Sequence, residues 1–513
     1  MNDYQNMYSG SPAVPTPQIR EEKKPVVYTR SERITAILML VCGFLWVRLC
    51  LYHASGVFTT LLCAAMITVQ LIFLKKHGAV FTRSETFTAG VLYAFSLVYT
   101  ITSNALIKGL DTCFLCMTGS LFLFHTANPD GDILRFLPVS LGKGMVAAPF
   151  RNFAAAPLAV TSGAKSRGFW RNMGYIFLGL VLAVPVTAVA AALLCSADEN
   201  MSQLLRKFFH MPSDELLTLI PHLIVGIIAG CMIFSALYTA THRGLRNDPA
   251  ECAAYAKNCR IIPAPVIYAM VTPLCLLYIL FFFSQMQYFL GGFTGDTAEF
   301  TYAEYARRGF FELCGVCVLN AIVIGGMGFF AKRREEKKPV ILVIYGCFLC
   351  ISSLLLAGTA LAKMFLYIRM YGMTQLRVYT TWFMLLLVIF FALLLVRQFR
   401  ESLNLGKILM VAFTMMFALL CFSRPDAWMT RYNAEMYLTG HLEEFDTSVF
   451  DDMSDDAWAA LTAYDTQTVD RLLCKQDKRS EFVGQTQRKH TDLWENLNLS
   501  AWELAAYGEH YRD

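Results

Sequence analysis

The sequence predicts an all-α polytopic integral membrane protein of about eleven transmembrane helices. Its N-terminus is expected in the cytosol and its C-terminus outside, ending in a small helical extracytoplasmic tail. Three observations carry this expectation. Of 513 residues, 56% are hydrophobic and only 16% are charged, against about 25% charged in a soluble domain. Apolar stretches recur at the ~17–25 residues that a hydrocarbon layer of about 30 Å requires. The basic residues then fall on alternate connecting segments.

Residues 1–33 carry Pro12, Pro15, Pro17 and Pro25 and a basic cluster of Arg20, Lys23, Lys24 and Arg30 that Arg33 continues. Such a segment cannot bury enough apolar surface to fold, so it reads as a disordered cytosolic lead-in. Its basic region is too long for a cleavable signal peptide, and no A-x-A site follows the apolar run.

The membrane region, 34–423, divides into spans at 34–51, 56–74, 88–107, 110–125, 175–195, 217–238, 266–290, 309–330, 340–362, 378–396 and 407–422. The fourth is the weakest, being short and carrying Asp111. Segments assigned to the cytosol hold about 26 Lys and Arg, and the intervening loops about 8, which orients the chain by the positive-inside rule. The long inner loop, 126–174, contains Pro129, Pro138, Pro149 and Pro157 and an apolar patch at 150–160. A partly interfacial helix suits it. Gly142-Lys143-Gly144 has neither the upstream glycine nor the following Ser/Thr of a phosphate-binding loop. Nothing points to nucleic acid.

Asn104, His222 and Asn320 are the main polar side chains inside spans. Each reads either as a helix–helix hydrogen-bonding residue or as a proton or ligand group. Of the 16 cysteines, Cys113/Cys116, Cys314/Cys317 and Cys347/Cys350 have C-x-x-C spacing. All three pairs lie in apolar helical runs, where Cys behaves as a small hydrophobe. No metal and no cofactor is expected.

Polar chemistry gathers on the face assigned to the outside. Read as a helix, Glu304, Arg308 and Glu312 fall in one row at i, i+4 and i+8, with Tyr302, Tyr305 and Arg307 beside them. A second ramp carries Lys363, Tyr367, Arg369, Tyr371, Arg377 and Tyr379, with Gly372 where the helix turns. The tail, 424–513, has 18 acidic and 9 basic residues and opens with Arg431, Tyr432 and Asn433. Ser454-Asp455-Asp456-Ala457 is placed to cap a helix over 458–464. The acidic cluster lacks EF-hand spacing. Tyrosines in an aromatic belt with snorkelling arginines would explain these residues structurally. Alternatively they form one outer-face polar cluster that flanks an entrance or binds a ligand.

The motifs Tyr302-Ala-Glu-Tyr-Ala-Arg-Arg-Gly-Phe-Phe-Glu-Leu313, Tyr371-Gly-Met-Thr-Gln-Leu-Arg377, Tyr379-Thr-Thr-Trp-Phe-Met384 and Arg431-Tyr-Asn433, with Tyr437-Leu and Gly440, resemble a family of bacterial multi-pass membrane proteins. That family is domain of unknown function 4173, related to a 4153 group. The resemblance runs over roughly 301–464 and elsewhere extends only to the pattern of spans. His441-Leu442-Glu443-Glu444 departs from the Leu-Asp expected after Gly440. The resemblance implies the architecture and a bacterial cell membrane, and names no substrate.

Three function classes follow. A sensory or regulatory protein binding a small ligand or a membrane-protein partner at its outer face accounts best for where the polar residues lie. A transporter or permease is the alternative, with few ionisable groups at mid-membrane to support it. A membrane enzyme acting on a lipid-linked substrate is least supported, since no H-E-x-x-H or G-x-S-x-G motif is present.

Overall fold

The computed structural model describes residues 27–49, 56–128, 137–162, 215–242, 257–294, 310–332, 339–400, 402–473, 476–491 and 497–510. Isolated positions between 179 and 201 and near 245 and 254 are described as well. The expected lead-in, most of the fifth span and residues 301–309 lie outside the described residues.

The described chain is helical, and its one β-feature is a bridge between Ile262 and Ala331. Helix α1 is Arg30–Val47, α2 Val57–Lys76, α3 Arg83–Ser96, α4 Val98–Ile101 and α5 Ala105–Ala127. Short pieces follow: α6 Leu137–Leu141, a π-turn Gly142–Ala147, α7 Ala148–Arg151 and α8 Ala155–Thr161. The long helices resume with α9 Glu215–Thr241, α10 Ala264–Thr294, α11 Phe310–Phe330, α12 Val340–Tyr371, α13 Gln375–Phe399 and α14 Leu405–Phe422. The C-terminal region adds α15 Pro425–Leu438, α16 Asp455–Leu461, α17 Thr466–Leu472, α18 Gln476–Thr491 and α19 Leu499–His510.

Eight of the described helices are long and apolar enough to cross a membrane: α2, α5 and α9 to α14. Three expected spans are not among them, each for its own reason. Helix α1 carries Arg30, Glu32 and Arg33 within its 18 residues. The third is not one helix over 88–107: it breaks at Leu97 and again at 102–104, so α3 has only 14 residues. The fifth falls where few residues are described. The weak fourth span becomes α5, a full 23 residues. Its start is set by Asn104, whose Oδ1 accepts from the Ile107 N–H at 3.0 Å. Asn104 is therefore an N-cap at a break, a position that favours Asn because it satisfies an orphan backbone donor.

Helix α1 crosses α9 backbone to backbone. A Cβ on Gly43 would lie 2.5 Å from the Gly226 carbonyl oxygen, and one on Gly230 would lie 2.7 Å from Leu40 Cα. Small residues permit this approach between membrane helices. The described part of the 126–174 loop, 137–162, packs in part on protein. Ala155, Ala156 and Ala159 of α8 are buried with Ala36 and Met39 of α1 and Phe234 of α9. Asn152 donates from Nδ2 to Thr239 Oγ1 at 2.9 Å.

Helices α10 to α13 form a second core around Val271, Cys317, Leu349 and Phe391. Helix α14 joins the halves, its Phe417 and Leu420 packing on Phe95, Val98 and Phe114. Asn320 of α11 accepts from Tyr278 Oη at 2.6 Å and donates to Ser353 Oγ at 2.9 Å, linking three helices. The tail helices share a core of their own, with Phe450, Trp458, Leu472, Phe482 and Leu504 buried together.

Candidate functional site

A polar buried region lies at the junction between the tail and the membrane helices. Asp426 and Asp456 are both fully buried. Asp426 stands in the first turn of α15, where the helix dipole favours an anion. Its Oδ2 accepts from Asn104 Nδ2 at 2.8 Å, from the Ser454 N–H at 3.0 Å and from Ser454 Oγ at 2.6 Å. Its Oδ1 accepts from Gln375 Nε2 at 3.0 Å. Asn104 Nδ2 also donates to Tyr379 Oη at 2.9 Å. One carboxylate thus collects the α5 cap, the start of α13 and the start of α16.

Asp456 reaches the same helix break from the tail. It accepts from the hydroxyls of Thr102 and Ser500, and from the Ser103 N–H at 3.1 Å. The exchange is reciprocal, because Ser103 Oγ accepts from the Asp456 N–H at 2.9 Å. Ser103 therefore caps α16 across 353 positions of sequence. The helix expected at 458–464 begins earlier, at Asp455, so Ser454 takes the N-cap position but makes no cap hydrogen bond; its hydroxyl is spent on Asp426.

Arg424 supplies the cation. It forks onto Glu503, Nη1 to Oε1 at 2.9 Å and Nη2 to Oε2 at 2.7 Å, and its Nε lies 3.6 Å from Asp456 Oδ1. Bidentate pairing of this kind fixes geometry as well as charge. Burial alone would favour the neutral guanidine. The Glu503 hydrogen bonds and the Asp456 charge outweigh it and raise the Arg424 pKa above its ordinary value. Arg424 holds φ +50°, a left-handed conformation costing about 1–2 kcal/mol for a side-chain-bearing residue. Two acids, Asp456 and Glu503, face this one arginine.

The expected outer-face residues divide. Tyr302, Glu304, Tyr305, Arg307 and Arg308 lie outside the described residues, and Glu312 is exposed in the first turn of α11. Tyr367, Tyr371, Arg377 and Asn433 meet at the turn between α12 and α13. Arg377 Nη1 donates to the Tyr371 and Gly372 carbonyls at 3.0 and 2.6 Å, and its guanidinium lies 4.0 Å from the Tyr367 ring centre. Asn433 accepts from the Met373 N–H at 2.7 Å and donates back to its carbonyl at 2.8 Å. Gly372 has φ +72°, and a Cβ there would lie 2.7 Å from Asn433 Oδ1. Tyr432 is half-buried against the second core, while Arg369 and Arg431 are exposed. Among the described residues expected at the site, Tyr379 enters the carboxylate network.

A second polar cluster sits at the opposite helix ends. Thr29-Arg-Ser-Glu32 and Thr82-Arg-Ser-Glu85 repeat one motif, and each forms a capping box. Glu32 and Glu85 are each 3% exposed. Glu32 Oε1 lies 3.4 Å from His242 Nε2 and 3.8 Å from His77 Nε2, and Glu85 Oε1 lies 3.0 Å from His125 Nδ1. The T-x-x-E pattern was the sequence signal for these glutamates. Asp426 and Asp456 had no comparable signal, since their partners are remote in sequence.

Comparison with curated proteins and with solved structures returns no match. The model of one family, described as a domain of unknown function, DUF4153, matches residues 89–464. The match takes in α3 to α16, and with them the helix break, Asp426 and Asp456. It falls on the 4153 group rather than on 4173, the group named first from the motifs. By this match over most of its length, the chain belongs to the DUF4153 family, a domain of unknown function.

Proposed function

We propose that the chain is a sensory or regulatory protein of the cell membrane. In this reading it crosses the bilayer eleven times, its region 424–513 lies outside, and that region is coupled to the spans at residues 102–104. The observation that carries the reading is the pair of buried carboxylates, Asp426 and Asp456, bonded to Thr102, Ser103, Asn104 and Gln375. A broken helix is a natural hinge, because its backbone groups are satisfied from outside the helix. A ligand or membrane-protein partner that displaces α16 would pull on that break.

The crossing number has separate support. The C-cap of α5, Asn128, donates from Nδ2 to the Leu245 carbonyl at 3.2 Å, just past the end of α9. This supports both helices ending on one side, with an odd number of crossings between them, such as a span at 175–195. Exposed Trp428 and Trp502 on the tail suit a headgroup layer.

One observation favours transport instead: Asp111, fully buried inside α5. Reconstitution separates the two readings. The sensory reading expects no accumulation of any solute in proteoliposomes across a broad panel. It expects some member of that panel to raise the Tm of the wild-type protein, and to do so less in Asp456→Asn. Accumulation of a solute would replace the reading with transport.

A further inference from the structure

We propose that Asp111 is a proton-binding site embedded in the membrane region, a role that does not depend on the coupling reading above. Asp111 lies inside α5, seven residues after the Asn104 cap, or about 10 Å along the helix at ~1.5 Å per residue. Its side chain is fully buried. Neither carboxyl oxygen has a hydrogen-bond partner among the described residues. Every other fully buried carboxyl in the described chain is richly served: Asp426 and Asp456 each accept from several donors.

Among the described residues the wall against Asp111 is apolar, and a cation, Lys108, stands at i−3 on its own helix. Ile107 and Phe114 stand at i−4 and i+3 on the same face of α5 and are buried with Phe95, Val98, Phe417, Leu420 and Cys421. The titratable groups around Asp111 are Cys421 of α14, within electrostatic reach, and Cys116 and Lys108 on its own helix. Tyr99 of α4 is also close, but its hydroxyl is engaged with Thr112 Oγ1 at 2.6 Å. An isolated carboxylate in such a medium is far too costly to persist. Sodium or a divalent ion would need several oxygen ligands, and the apolar wall provides none. A proton needs no cage, and it removes the charge at its source. Ionisable groups held inside spans in this way mark proton or substrate pathways more than packing.

The test uses full-length protein in lipid nanodiscs, with the proton as the probe. Infrared difference spectra are taken as the pH is stepped upward. The expected result is a carboxylic-acid carbonyl band that is lost reversibly on raising the pH and is missing from Asp111→Asn. In parallel, dicyclohexylcarbodiimide, which attacks protonated carboxyls in apolar surroundings, should modify Asp111 in the wild-type protein, read by mass spectrometry of the α5 peptide. If Asp111→Asn does not fold, the wild-type titration and the carbodiimide map still decide. The proposal is overturned if Asp111 escapes modification while other carboxyls react. It is equally overturned if the band persists unchanged across the whole pH range in which the protein stays folded, since a proton that never leaves serves packing alone.

Discussion

Replacing Asp456 by Ala removes the acceptor on which the tail and the helix break converge. Asp456 is fully buried and serves Thr102 Oγ1, the Ser103 N–H and Ser500 Oγ, with the Arg424 guanidinium 3.6 Å away. Breaking a buried ion pair from one side costs about 3–5 kcal/mol. Each buried donor left bare costs about 1–3 kcal/mol. These losses overlap, because Glu503 retains Arg424 and Ser500 can turn to it, so about 3–5 kcal/mol is the expected total. At ~1.4 kcal/mol per tenfold, local opening becomes roughly two to three and a half orders of magnitude more frequent. Native-state hydrogen exchange of the full-length protein in nanodiscs reads this directly. Amides of α16 and of residues 98–108 should exchange faster by that factor, while those of α12 stay unchanged. Rates at 98–108 within threefold of wild type would refute the reasoning, since the break would then be held by something other than the tail.

Gly226→Ala should weaken the α1–α9 crossing by about 1–3 kcal/mol, because its new methyl would run into the Phe44 backbone; a lowered Tm checks it. Glu32→Ala should lose the capping box, about 1 kcal/mol, and the partner of His77 and His242, whereas Glu32→Gln, still able to cap, should lose less in the same melt. Arg424→Lys keeps the charge but not the fork onto Glu503, so α19 should become more susceptible to limited proteolysis than in wild type. Brominated lipids should quench Trp428 and Trp502, which are 49% and 60% exposed, and spare Trp458, which is 3% exposed; equal quenching of all three would contradict the packing of the tail.

Helix existence was legible because apolar run length is a local property, and α9 to α14 lie within a few residues of where the sequence puts them, except that α12 runs on to Tyr371, nine residues past the expected 362. Helix interruption was less so. Thr102, Ser103 and Asn104 sit in a run apolar enough to read as continuous, and what stops the helix is Asp456, 353 positions away. The same remoteness hid the junction. Asp426 and Asp456 resemble ordinary first-turn acids until their partners from α5 and α13 are in place. The turn at Gly372 was readable, since glycine between two apolar runs marks a reversal, and Arg377 and Tyr367 do meet there. The charged row around Glu304 pointed to a stretch that lies outside the described residues. The repeated Thr-Arg-Ser-Glu motif was open to a reader looking for capping boxes. Its burial against histidines from α2, α5 and the end of α9 was not, because that is tertiary.

The central claim is that a tail carboxylate and a membrane-helix cap act as one unit, and a double-mutant cycle on Asn104 and Asp426 tests it most directly. Asn104→Ala and Asp426→Ala are made singly and together, and the stability of each is measured in the same nanodiscs. Cycles isolate the pair from the other bonds each residue makes. For a buried contact of 2.8 Å, a coupling of about 1.5–3 kcal/mol is expected from a hydrogen bond to a charged group. Losses that simply add, with no coupling beyond ~0.5 kcal/mol, would contradict the account.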